Sequence, residues 1–159
     1  MRIPLAVRAL VATVIPLTVA GLAPSYLLSR FAWRAVPAWH AVFAIPMAAG
    51  IGLLGYCIVL FAITGRGTLA PLDPPTVFVA RGPYRFTRNP MYVGVSLWLW
   101  GLAAFTNTHV MLMYALSAAI GFHVFVTLVE EPALRRRFGA SYEAYVQRVP
   151  RWLGRRRGT

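Results

Sequence analysis

The chain has 159 residues, 58% hydrophobic and only 13% charged, with a mean hydropathy of +0.62, too apolar for an ordinary soluble domain and pointing to a bilayer. Sixteen basic residues, all arginine, stand against Asp73, Glu130, Glu131 and Glu143, a formal charge of +12. The arginines lie in loops flanking apolar runs, which reads as membrane topology and contact with anionic headgroups and argues against a nucleic-acid surface.

Arg2 and Arg8 precede an apolar stretch containing Ala20 to Ala23, as in a signal peptide. That stretch runs on to about Leu28, longer than a typical signal core, so a first transmembrane helix is expected. Four runs, about 9–28, 38–63, 91–105 and 109–129, reach or approach the ~20 apolar residues that span a bilayer. The expected fold is therefore all-α and integral to the membrane, one domain over 1–159 with about four transmembrane helices and a C-terminal interfacial helical segment. Pro16, Pro24 and Pro46 lie within the first two spans, where neighbouring helices or water must satisfy the freed carbonyls. Ala48 with Gly52, and Ser117 with Gly121, are small residues at helical spacing that would let helices approach closely. Cys57, the only cysteine, lies in the second run, which excludes an intrachain disulfide and a cysteine-based zinc site.

Fourteen of the sixteen arginines fall in the N-terminus, the 64–90 loop and the 130–159 tail. Positive residues favour the cytoplasmic side, so an even number of spans places both termini and that loop in the cytoplasm. The third and fourth spans must form a tight hairpin, because only residues 106–108 join them. Gly65, Gly67, Pro71, Pro74 and Pro75 favour an extended, turn-rich loop, and Val77 to Ala80 reads as a short strand or a membrane-contacting segment. Beyond the fourth span, residues 132–138 and 140–149 read as two short helices punctuated by Gly139. Tyr142, Tyr145, Val146 and Val149 share one face of the second, which suits a helix in the membrane interface, anchored by Trp152 and Arg155 to Arg157.

Two features exceed what an anchor needs. Arg81 to Gly94 is a constrained strip of arginines, tyrosines, glycines and prolines at the mouth of the third span. Glu130 and Glu131 form the only adjacent acidic pair, at the end of the fourth span, where charge usually has a partner or a purpose. Both emerge on the same face of the hairpin, so they can meet. The plain alternative is salt-bridging of the pair to Arg85, Arg88 or Arg135 to Arg137. The functional alternative is a pocket for a ligand of both charge signs, arginine taking a carboxylate and glutamate an ammonium, sulfonium or ribose hydroxyl. His123 lies seven residues before Glu130, on the same face of a regular helix and about 10.5 Å deeper by its ~1.5 Å rise per residue. It is either a packing residue or part of such a pocket. His40 and His109 sit near the opposite ends of the spans, and histidines scattered over both faces make no metal site.

Gly82-Pro83-Tyr84, Arg88 through Gly94, and Glu130-Glu131 followed by Leu134, Phe138-Gly139, Tyr142, Tyr145 and Val149-Pro150-Arg151 together resemble the isoprenylcysteine carboxyl methyltransferase and phospholipid methyltransferase family of integral membrane enzymes. The resemblance covers about 65–153. It implies a pocket for S-adenosylmethionine built from the loop, the last two spans and the tail, open sideways to a lipophilic or lipid acceptor. Cofactor contacts are implied for Gly82, Tyr84, Arg88, Asn89, Pro90, Tyr92, Gly94, Glu130 and Glu131; His123 is expected to join them by its alignment with the glutamates, and Arg88, Glu131 and His123 are the expected catalytic residues. Asn89 departs from the histidine that many members carry. An amide replaces a neutral ring nitrogen as a hydrogen-bonding group, but it cannot take a proton. Methyl transfer from a sulfonium needs alignment and exclusion of water and no activated nucleophile of the enzyme's own. The competing readings are a membrane reductase of the sterol-reductase type using reduced nicotinamide cofactor, and a non-enzymatic assembly or carrier protein.

Overall fold

The structure, a computed structural model, describes residues 18–31, 36–64 and 81–153. The expectations for residues 1–17, for most of the 64–90 loop and for residues 154–159 lie outside them. All regular secondary structure among the described residues is helical, with no strand. Among the described residues there are six α-helices: α1 (Ala23–Arg30), α2 (Ala44–Thr64), α3 (Pro90–Thr106), α4 (His109–Phe125), α5 (Glu131–Phe138) and α6 (Ala140–Arg148). A 3₁₀ turn, Ala38–Phe43, leads into α2, and wider π-turns, Thr18–Leu22 and Val126–Glu130, precede α1 and α5.

Each π-turn ends two residues before a proline. Pro24 has no N–H to donate, which frees the Ala20 carbonyl in an α-turn and the Val19 carbonyl in a π-turn. Both are satisfied from other helices: Trp98 Nε1 donates to Ala20 O at 2.8 Å and Tyr114 Oη to Val19 O at 2.8 Å. In an apolar surrounding an unsatisfied carbonyl is costly, so these two side chains also fix α1 against α3 and α4. Pro132 stands at the same place after the second π-turn, where Glu131 N bonds to Val126 O, five residues back.

The α3–α4 hairpin forms as expected. Thr106 Oγ1 bonds back to Leu102 O at 2.8 Å, and Asn107, with φ of 50°, takes the left-handed conformation that ends α3. Val95, Leu99, Leu102 and Ala103 of α3 pack with Met111 and Ala115 of α4 to form the buried core. His40, buried, lies with Nδ1 2.9 Å from Ala104 O and ties the start of α2 to the end of α3.

Helices α2 and α3 touch at glycines other than those expected from spacing. A Cβ on Gly50 would lie 2.5 Å from Gly94 O, one on Gly94 would lie 2.9 Å from Gly50 O, and one on Gly101 would lie 2.6 Å from Met47 Cγ. Gly52 and Gly121, by contrast, face open space. Spacing shows that small residues share a face but not which face meets a neighbour.

Two helical stretches, Ala38–Leu60 and His109–Phe138, are long and apolar enough to cross a membrane, and Pro90–Thr106 is a shorter apolar helix. Only 11% of each long apolar window is buried inside the protein. Ile45, Ile51, Val59 and Ile63 on α2, and Ile120, Val124 and Leu128 on the other stretch, are exposed. The core helix of a soluble protein would be covered, so these faces fit an apolar solvent.

We expect Gly50→Ala and Gly94→Ala to lower thermal stability in detergent by roughly 1–3 kcal/mol through overpacking at backbone, while Gly52→Ala and Gly121→Ala do not. Equal melting points for all four variants would contradict the α2–α3 contact.

Candidate functional site

Glu131 opens α5 and is only 2% exposed. Arg151 grips it with two bonds, Nε to Oε1 at 2.6 Å and Nη2 to Oε2 at 3.0 Å. Arg88 Nη1 lies 2.9 Å from Oε1, and Arg135 Nη2, one turn along α5, lies 3.6 Å from Oε2. A buried carboxylate persists only with such compensation. Three guanidinium groups round one carboxylate leave this end of the protein with surplus positive charge. The hydrogen bond to Glu131, and with it the Glu131 charge, reciprocally raises the Arg151 pKa.

Arg88 is itself 90% buried, its side chain being 10% exposed. Although Nη1 is close to Glu131, the contact lacks hydrogen-bond alignment, and neither Nε nor Nη1 has a hydrogen-bond acceptor among the described residues. Nε of this buried guanidinium thus has no acceptor among the described residues, and Nη1 is held to Glu131 only as an ion pair.

The strip before α3 is held to the segment after α6. Gly82, with φ of +57°, opens a 3₁₀ turn under the Tyr56 ring, where a Cβ would sit 3.0 Å from Tyr56 Cε1. Arg88 N donates to Pro150 O at 2.9 Å. Thr87 Oγ1 and Asn89 Nδ2 both donate to Arg151 O, at 3.0 and 2.9 Å. Pro90 then starts α3, where its missing N–H costs nothing. Tyr145 Oη donates to Tyr84 O at 2.6 Å. Tyr142, Tyr145 and Val149 are buried against Leu134 and Phe138. The apolar face of α6, expected to lie in the membrane interface, is therefore covered by the chain's own tail and loop. Burial, and next the Glu131 charge, hold the Tyr142 hydroxyl above its ordinary pKa.

Glu130 has different company. Its Oε2 accepts from Tyr92 Oη at 2.9 Å, and no arginine among the described residues pairs with it. The Tyr92 ring lies 5.1 Å from Phe122 and meets Trp152 nearly at right angles, 6.5 Å between centroids. Trp152 Nε1 in turn donates to His123 Nδ1 at 3.1 Å. His123 and Glu130 belong to one connected set, but not through the straight helical face that a seven-residue spacing implies, because the π-turn between them shifts the register by about one residue.

The sequence model of the phospholipid methyltransferase family matches residues 67–141. The resemblance drawn from the motifs is thereby matched over that segment. No curated protein and no solved structure matches the chain.

The structure brings Tyr84, Arg88, Asn89, Tyr92, His123, Glu130 and Glu131 to one end of the hairpin. Gly94 is spent on the α2–α3 contact, and Pro90 on starting α3. For Glu131 the ion-pair alternative describes the geometry, whereas Glu130 keeps a carboxylate that no arginine among the described residues takes. Arg151 and Trp152 complete the cluster, although the sequence pattern assigns Arg151 no partner and Trp152 to the headgroups. The signal for both is the Val149-Pro150-Arg151 stretch, whose proline ends α6 and turns the chain back.

Glu131→Gln strips the carboxylate from three guanidinium groups, and the expected loss is up to roughly 3–5 kcal/mol, read as a lower unfolding midpoint. Glu143→Gln removes only an exposed partner of Arg135 and should cost less than about 1 kcal/mol. A Glu131→Gln protein as stable as the Glu143→Gln protein would show that the cluster does not hold this end together.

Proposed function

We propose that the protein is a four-span, multi-pass enzyme, with both termini cytoplasmic, that transfers a methyl group from S-adenosylmethionine to a lipophilic or lipid acceptor, a carboxylate or an amine. One observation carries the reading: a buried arginine whose Nε lacks an acceptor, and a carboxylate that no arginine among the described residues pairs with, stand at the same end of the hairpin. Those are the two recognition elements an amino-acid zwitterion with an adjacent sulfonium requires, so the residues present fit the cofactor. Arg88 Nε and Nη1 would take its carboxylate. Glu130, with Tyr92 and Tyr84 as walls, would take its cationic or ribose part. S-adenosylmethionine, when bound, supplies an activated methyl on sulfur.

The chain's own work is then to orient and to exclude water. Tyr92, Phe122 and Trp152 close one side with apolar surface, and Glu131 keeps Arg88 and Arg151 in place. No nucleophile of the protein is needed, because the methyl passes directly between the bound partners. The surplus arginine charge near Glu131, with the tail arginines, suits anionic headgroups at this membrane face. The family match favours this reading over a nicotinamide-dependent reductase or a carrier.

Titration of labelled S-adenosylmethionine into detergent-purified protein tests it. Saturable binding is expected, weakened roughly tenfold or more in Arg88→Ala and in Glu130→Gln, the loss that goes with a hydrogen bond to a charged group. Binding that is absent, or unchanged in both well-folded variants, would sink the proposal. Membranes supplied with isotopically labelled methyl donor, with and without the protein, would then identify the acceptor.

A further inference from the structure

We infer that Trp152 fixes His123 as one tautomer, with the proton on Nε2, so that His123 presents the site with a hydrogen-bond donor, and that Asn89 positions Trp152 for this task. The connection of His123 to methyl transfer rests on the function proposed above; the tautomer does not.

An indole N–H can only donate. Trp152 Nε1 lies 3.1 Å from His123 Nδ1, so Nδ1 must carry its lone pair there, and the proton of the neutral ring sits on Nε2. Nε2 has no partner among the described residues, and the His123 ring is exposed. The indole is tilted 31° to the imidazole with centroids 6.2 Å apart. The two rings therefore meet through the hydrogen bond and do not stack.

The backbone leading to Trp152 is held in place. The residue before it is held at its carbonyl by Asn89 Nδ2 and Thr87 Oγ1 and at its guanidinium by Glu131. The residue before that is held by Arg88 N. On its other side the indole meets Tyr92, which Glu130 holds. Asn89 is 6% exposed, and its side-chain amide donates to the backbone immediately before the indole. It is a positioning residue, two steps removed from His123. A doubly protonated His123 would have a donor at both nitrogens and would lose Trp152. Serving as a proton acceptor therefore conflicts with the contact that orients the ring.

Nitrogen NMR of full-length protein labelled at histidine, in detergent at about pH 8, well above the ordinary histidine pKa of ~6.5, tests the tautomer without any activity. His40, His109 and His123 are the only histidines, and His123→Gln identifies the signal. The expected pattern is an unprotonated Nδ1 and a protonated Nε2. Trp152→Phe should convert it to a mixture. Asn89→Ala should move it the same way, and Asn89→His, which returns an N–H donor, should restore it, with melting points confirming that each variant is folded. A protonated Nδ1 in the parent protein, or a pattern untouched by Trp152→Phe, would overturn the inference.

A second arm measures methyl transfer. Glutamine places an amide N–H near the position of Nε2 but cannot take a proton, so His123→Gln should lose less transfer than His123→Ala and keep the shape of the pH profile. Removal of a general base costs roughly a hundredfold or more, and that loss in His123→Gln, with a changed pH profile, would overturn the donor role. If no variant binds or uses S-adenosylmethionine, the proposed function fails while the nitrogen spectra still decide the tautomer.

Discussion

A carboxylate buried at the end of an apolar helix is the constraint that organises this protein. Glu131 can remain charged there only if guanidinium groups surround it, and the three that do so come from three places: the strip before α3, the next turn of α5 itself, and the segment after α6. Satisfying one charge thus draws together parts of the chain up to sixty-odd positions apart. The bonds from Thr87, Arg88 and Asn89 to the backbone of Pro150 and Arg151 reinforce the same junction.

The neighbouring carboxylate gains its freedom from that arrangement. With the arginines drawn to Glu131, Glu130 is left to a tyrosine hydroxyl, and the adjacent positions divide into a structural charge and an available one. Adjacent residues on a regular helix point about 100° apart, and the π-turn ending at Glu130 further offsets the faces of α4 from those of α5. The same economy appears at the other π-turn, where the carbonyls that Pro24 leaves open are answered by Trp98 and Tyr114. There a local irregularity is tolerated because side chains from other helices satisfy the carbonyls it exposes.

Much of this is legible along the chain. Helix positions, the α3–α4 hairpin, the break at Gly139 and the meeting of the Arg81 to Gly94 strip with the glutamates follow from apolar runs, turn residues and charge placement. The close helix contact is not: spacing singles out Ala48, Gly52, Ser117 and Gly121 ahead of Gly50, Gly94 and Gly101, because small residues occur on several faces and periodicity cannot say which one has a neighbour. The tail is misplaced by sequence for a related reason. Tyr142, Tyr145 and Val149 form an apolar face, and an apolar face fits a membrane or a protein equally well until its partner is known.

The sequence by itself determined the helices of the described residues, an apolar character that suits a bilayer, and motifs resembling one family at both ends of one hairpin, since these depend on residue type and short spacing. Only the tertiary structure decided which glutamate is spent and which is free, that Asn89 clamps the tail, and that Trp152 turns to His123. Each of those outcomes depends on distances between segments remote in sequence, and charge compensation and hydrogen-bond direction are fixed by such distances and not by spacing along the chain.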